Sequence, residues 1–184
     1  SPRMALTYNL AEDETWKINA SVGRYFKIPT YTMLGYQNSQ TRFVNKDAKY
    51  IRSDHLVTGL EYAPGNASRI TIEGFYKKYS QYPISLIDGV SLANKGGGFE
   101  VLGNEAITSD GKGKSYGLEA LYQQKLSKNF YGVFAYTYFH SKFTTAIGNY
   151  LPSVWDSRHL ISFSGGYKLK RNWEISARWR FSGK

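Results

Sequence analysis

The sequence predicts an all-β chain, an antiparallel up-and-down β-barrel that crosses a membrane with its strands. Three observations carry this prediction. Apolar and polar residues alternate with period two through most of the 184 residues. The alternating runs reach about ten residues or more, whereas soluble strands average about five or six and membrane-spanning strands need about 9–11. Short turns at one end of the runs alternate with long connections at the other, an asymmetry that membrane barrels display and that soluble sandwiches also permit.

Taken in order, residues 2–10 set Pro2, Met4, Leu6, Tyr8 and Leu10 against Arg3, Ala5, Thr7 and Asn9. After the polar turn AEDE, residues 15–28 continue with Trp16, Ile18, Ala20 and Val22 against Lys17, Asn19, Ser21 and Gly23. A connection over residues 28–53, rich in Tyr, Asn, Gln and Thr, shows no sustained periodicity, and connections that long are usually functional or disordered. From Asp54 the alternation resumes, turns at PGNAS, and returns over residues 69–80. A second long connection, Pro83 to Gly113, contains Gly96, Gly97 and Gly98. It leads into a hairpin from Lys114 to Lys142 that turns at Ser127-Lys128-Asn129. A third connection, Thr144 to Trp155, precedes a strand from His159 to Lys168 and a final one with Trp173, Ile175, Ala177, Trp179 and Phe181 on one face. Eight strands in four hairpins are expected.

Aromatic residues support a membrane reading. Tyr8, Trp16, Tyr62, Tyr167 and Trp173 all stand near short turns on apolar faces, the placement of a membrane girdle, where the ring body is apolar and its N–H or O–H stays wet. The same residues also suit the core of a β-sandwich. In the strand after Asn129, periodicity leaves the faces open: Tyr131, Val133, Ala135, Thr137 and Phe139 form one set, and Phe130, Phe134, Tyr136, Tyr138 and His140 the other.

Composition narrows the function. The chain carries 16 Tyr, 10 Phe and 4 Trp and no run near the roughly 18 apolar residues of a membrane helix, so a crossing would be made by closed strands. Without cysteine, disulfides and thiolate chemistry are excluded. A net charge of +10 would suit a polyanion, but the basic residues are spread evenly along the chain and read as a solvated face, with no nucleic-acid partner. The start SPRMALTYNL has neither a positive n-region nor an apolar h-region, which implies a mature or truncated chain.

No enzyme emerges. The stretch GKGKS at residues 111–115 lacks the glycine a phosphate loop needs at position 108, occupied by Thr108, and an alternating strand follows it instead of a helix. His55, His140 and His159 show no ligand spacing, and neither a metal nor a cofactor is expected. Asp156 with Arg158 and His159 forms no recognisable acid–base pair, and Asn66-Ala67-Ser68 reads as a turn.

Several short patterns together resemble the barrel of TonB-dependent outer-membrane receptors of the Bacteroides type. They are YFKIPTYTML (residues 25–34), IRSDHLVTGLEYAP (51–64), ITIEGFYKKYSQYPIS (70–85), KSYGLEALYQQKL (114–126) and DSRHLISFSGGYKLKRNWEISARWRFSG (156–183), in order along nearly the whole chain. The resemblance implies that residues 1–184 are the C-terminal part of a barrel of about 22 strands, with plug and about ten strands before Ser1 and about four after Lys184. It implies active uptake of a scarce or bulky ligand, a siderophore, vitamin, glycan or peptide, in the bacterial outer membrane. Its partners would be outer-membrane lipid and lipopolysaccharide, the TonB complex acting through the plug, and a surface ligand-binding lipoprotein. Within the first long loop Tyr31, Tyr36, Gln37 and Asn38 are the ligand-contact candidates, and Phe134, Tyr136 and Tyr138 are expected to be lumenal, facing the plug. Two alternatives stand beside this reading: a complete small eight-stranded barrel with an adhesin or structural role, and a soluble carbohydrate-binding β-sandwich.

Overall fold

The computed structural model describes residues 1–96 and 101–183, so Gly97 and Gly98 of the second connection lie outside the described residues. Among the described residues nine strands form one antiparallel sheet: β1 (Arg3–Asn9), β2 (Trp16–Lys27), β3 (Ile51–Tyr62), β4 (Ser68–Ser85), β5 (Ile107–Ser127), β6 (Phe130–Thr144), β7 (Tyr150–Pro152), β8 (His159–Lys168) and β9 (Glu174–Gly183). Their order is β1-β2-β3-β4-β5-β6-β8-β9, with β7 paired to the far end of β6. The first and last strands do not meet, so the sheet is open and these strands do not close into the small barrel considered as an alternative.

The short turns form where left-handed backbone is reached: Gly65 at φ +74° between β3 and β4, and Lys128 at φ +55° between β5 and β6. At the other end the strands depart from their expected lengths. β5 begins at Ile107 instead of Lys114, and β4 runs on to Ser85, because backbone pairing continues through register shifts around Tyr82 in a stretch whose side chains do not alternate. Gly113 is required there by close approach, since a Cβ would come within 2.4 Å of the Phe143 ring. The unforeseen ninth strand, β7, is held by three pairings to β6 and ends at Pro152.

Directly opposed residues in an antiparallel sheet share a face, so the register assigns every side chain. One rung of cross-strand partners reads Trp16, Tyr62, Ile70, Tyr122, Phe134, Phe163 and Trp179. The next, toward the long loops, reads Tyr8, Ile18, Leu60, Ile72, Ala120, Tyr136, Ile161 and Phe181. Tyr138 follows, between Leu118 and His159. The expected lumenal position of Phe134, Tyr136 and Tyr138 is therefore corrected: they stand on the same apolar face as Tyr8, Trp16 and Tyr62. Aromatic residues on both parities of β6, at 130, 131, 134, 136, 138 and 139, hid its faces, and pairing with Leu118, Ala120 and Tyr122 settles them.

The opposite face is polar. Its rungs include Lys17, Glu61, Thr71 and Leu121, and then Asn19, Gly59, Glu73, Glu119 and Thr137. Thr71 on this face is only 9% exposed, whereas Leu6 and Leu118 on the apolar face are 62% and 58% exposed. An uncovered apolar surface of this extent needs an apolar surrounding. The even spread of basic residues along the chain is likewise not their distribution in space. Lys78, Lys114 and Lys142, far apart in sequence, are direct cross-strand partners on adjacent strands.

Candidate functional site

The long connections meet at one end of the sheet and build an ordered layer. In the first, residues 28–50, a single helical turn α1 (Tyr31–Leu34) carries Met33 inward. In the second, a 3₁₀ turn (Leu92–Asn94) is capped by the Ser91 hydroxyl, which accepts from Ala93 N–H. Met33, Leu92 and Ile107 pack together with Ala48 against them, a small apolar core shared by the two connections.

Asn45 ties them. Its amide nitrogen donates to the carbonyls of Met33 and Glu105 at 2.9 and 2.8 Å, and its oxygen accepts from Ile107 N–H at 3.0 Å. The residue is 3% exposed, so all three contacts are made away from water. We expect Asn45→Ala to leave buried backbone groups without partners, at about 1–3 kcal/mol each. Limited proteolysis of the first and second connections should then be about tenfold faster or more, while the barrel strands stay resistant.

The third connection is joined in the same way. Asn94 donates to the carbonyls of Leu151 and Pro152 at 3.0 and 2.7 Å, Val154 N–H donates to Ala93 O, and Ala146 N–H donates to Gly89 O. Beneath the layer, Phe143 is 1% exposed, with ring centroids of Tyr82, Tyr79 and Trp155 at 4.5, 5.2 and 5.7 Å.

Charge closes the second connection on itself. The Lys95 ammonium stands 2.8 Å from Asp88 and 3.0 Å from Glu105, and the Ser85 hydroxyl donates to Glu105. Burial works against the charge on Asp88, but hydrogen bonds from Lys95 and from Val90 N–H outweigh it and hold the carboxyl below its ordinary range. Burial also opposes the charge on Lys95, and its bonds to Asp88 and Glu105 outweigh it, leaving the ammonium above its ordinary value. A depressed acid contributes stability above its unfolded pKa and loses it as pH falls through the folded one; a raised base contributes below its unfolded pKa and loses it as pH rises through the folded one. The clasp is thus complete at neutral pH and opens on acidification below the ordinary carboxylate range. Hydrogen exchange of Ser85 and Gly89, whose amides bond Val90 O and Ser85 O, should accelerate there beyond its intrinsic pH dependence, and Asp88→Asn should remove that acid-dependent part.

The four loop candidates are differently placed. Tyr31 is 84% exposed on α1, and Gln37 is exposed in a bridge to Phe43. Tyr36 is half-buried, and the Asn38 side-chain oxygen already accepts from the N–H groups of Gln40 and Arg42 at 3.0 Å each. The structuring residues Asn45, Lys95, Glu105 and Phe143 carried no sequence signal, because each acts on a segment remote in the chain. Of the aromatics near the short turns, Trp16 and Tyr62 lie in contact, ring centroids 4.4 Å apart; Tyr8 and Tyr167 share their face, and Trp173 closes the last turn by accepting from Leu169 N–H. Tyr122, Phe130 and Phe134 extend this row.

Comparison with known proteins matches this architecture. The outer-membrane receptor for alcaligin from Bordetella pertussis superposes with a TM-score of 0.65 at 15% identity, over 100% of this chain and 29% of its own. A receptor in complex with pyocin S2 does so at 0.67 and 17% identity, over 99% of this chain and 22% of its own. A copper transporter does so at 0.64 and 15% identity, over 97% of this chain and 25% of its own. The chain therefore spans about a quarter of the length of these proteins, and they share its fold. No curated protein sequence matches the chain. The family profile described as TonB dependent receptor-like, beta-barrel matches residues 1–184, and the chain belongs to this family of outer-membrane receptor barrels.

Proposed function

We propose that residues 1–184 form part of the wall and outer mouth of a TonB-dependent transporter that takes up a scarce or bulky ligand: a siderophore, vitamin, glycan or peptide. The observation that carries this reading is a two-faced sheet, apolar on one side and polar on the other, whose long connections are cross-linked into a layer at one end. The similar structures of an alcaligin receptor and a copper transporter support metal or metal-chelate cargo among these classes. The motifs of residues 25–34 and 156–183 favour a receptor of the Bacteroides type and the C-terminal part of its barrel. The chain is then a partial barrel domain of four principal hairpins, completed by strands and a plug from elsewhere in the receptor.

In this reading the apolar face meets outer-membrane lipid and lipopolysaccharide, and Tyr8, Trp16, Tyr62, Tyr167 and Trp173 form the inner girdle. The polar face receives the plug, through which the TonB complex acts. Tyr31, Tyr36, Gln37 and Asn38 contact the ligand or a surface lipoprotein that delivers it; the exposed Tyr31 and Gln37 are the first to test. In cells carrying the full-length receptor, uptake of a panel of ferric siderophores, cobalamin, oligosaccharides and peptides should identify a cargo that enters only while the proton gradient stands. Tyr31→Ala with Gln37→Ala should weaken its binding about tenfold. Uptake that persists after the gradient is collapsed would sink the proposal.

A further inference from the structure

The apolar face changes character abruptly toward the long loops. Above the rung of Leu56, Tyr76, Tyr116 and His140 comes one that reads Arg24, Asp54, Lys78, Lys114 and Lys142. Arg24 and Arg52 share Asp54, at 2.6 and 3.6 Å. Asp54 also directly opposes Lys78, but none of the three lysines forms a salt bridge among the described residues, and Lys114 and Lys142 oppose no acid. The three lysines stand on adjacent strands spaced about 4.8 Å apart, so their attachment points span about 10 Å. Like charges directly opposed across strands destabilise a sheet. With five cations, Arg24, Arg52 and the three lysines, around the single carboxylate of Asp54, this row carries an excess of cationic donors, with Lys114 further placed 4.7 Å over the ring of Tyr150.

Its height is informative. On β4 the rung of Lys78 lies eight residues beyond that of Ile70, about 27 Å along a strand. At a tilt of about 40° that is about 20 Å of height, close to the apolar band of about 25 Å in outer-membrane barrels. The lysines thus stand at the opposite membrane surface from the Trp16 row. Directly below them a groove of about 670 Å³ opens on the same face, floored at Gly74, walled by Leu56, Tyr76, Tyr116, Leu118 and Tyr138, and topped by Lys114. An apolar slot beneath a cluster of cations has the polarity of a lipid with an anionic headgroup.

We propose that this groove and lysine row bind a phosphorylated glycolipid of the outer leaflet, an acyl chain lying over Gly74 and the headgroup phosphate accepting hydrogen bonds from the ammonium groups of Lys78, Lys114 and Lys142. Charge complementarity fixes the headgroup as anionic, and the groove beneath requires a ligand with an apolar tail. The proposal rests on the reading that this face meets lipid.

The full-length receptor, delipidated and reconstituted in phosphatidylcholine vesicles, tests it. The vesicles carry either a bis-phosphorylated lipid A or the same glycolipid with its phosphates removed, and retained lipid is counted by native mass spectrometry after extraction. The wild type should retain the phosphorylated form about tenfold or more over the other, the size of one lost charge-assisted contact. Substituting Lys78→Gln, Lys114→Gln and Lys142→Gln together should abolish that preference. Gly74→Leu should lower retention of both forms, since a Cβ there meets only Leu118, at an ordinary 3.5 Å, and the larger side chain would occupy the slot. Inorganic phosphate at millimolar concentration should displace nothing. A triple variant with the wild-type preference, or displacement by inorganic phosphate alone, overturns the lipid site. A wild-type receptor that never enters the vesicles overturns the membrane reading with it, so the two failures are distinct.

Discussion

Phe143→Ala is expected to cost about 3–5 kcal/mol of barrel stability, the range for deleting a fully enclosed aromatic side chain. Phe143 is 1% exposed, lies over Gly113, and touches the rings of Tyr79, Tyr82 and Trp155. Collapse around the vacancy is limited because these neighbours are held from separate elements. Trp155 is fixed by its Nε1–H donating to the Ser141 hydroxyl at 3.1 Å, and that hydroxyl is bonded to Ser115 at 2.8 Å. Reversible denaturant unfolding of the full-length receptor in detergent measures the cost. Phe134→Ala should cost distinctly less, because Phe134 is 43% exposed on the apolar face and detergent fills the space it leaves. Equal costs would mean that the aromatic cluster beneath the loops is not a packed unit.

Leu118→Arg carries the second large expectation. Leu118 is 58% exposed and lies on the rung midway between those of Trp16 and Lys114. An arginine on the lipid face near the bilayer midplane costs about 2–4 kcal/mol. Glu119→Arg, one residue on, places the same side chain on the polar face. It also relieves the direct opposition of Glu119 and Glu73, so it should be neutral or mildly stabilising. Folding of the two variants into bilayers, read as unfolding free energy, distinguishes the faces. A Glu119→Arg that costs as much as Leu118→Arg would overturn the assignment of lipid and lumen.

Period-two alternation made most of this sheet legible. Strands β1, β2, β3, β8 and β9 lie close to their expected bounds, because one apolar and one polar face leave a repeating mark on each strand. β6 left no such mark: with aromatic residues at 130, 131, 134, 136, 138 and 139, both parities look alike. The long-loop end was also opaque. β5 above Lys114 runs through Thr-Ser-Asp-Gly-Lys-Gly, where strand geometry is held by pairing with β4 and not by burial of alternate side chains. The bonds of Asn45 to Glu105 and Ile107 span 60 and 62 residues, a separation no local pattern can report.

The sequence by itself determined the all-β class and the two-faced character of most strands, since both follow from which residue types recur at a spacing of two. The hairpin from Lys114 to Lys142 was visible as a hairpin, but the direction its aromatic residues face was decided only when Leu118, Ala120 and Tyr122 were set opposite Tyr138, Tyr136 and Phe134. Register also gathered Lys78, Lys114 and Lys142 into one row above the groove at Gly74. Such a cluster is a relation between strands, fixed by backbone hydrogen bonds across the sheet, and no single strand contains it.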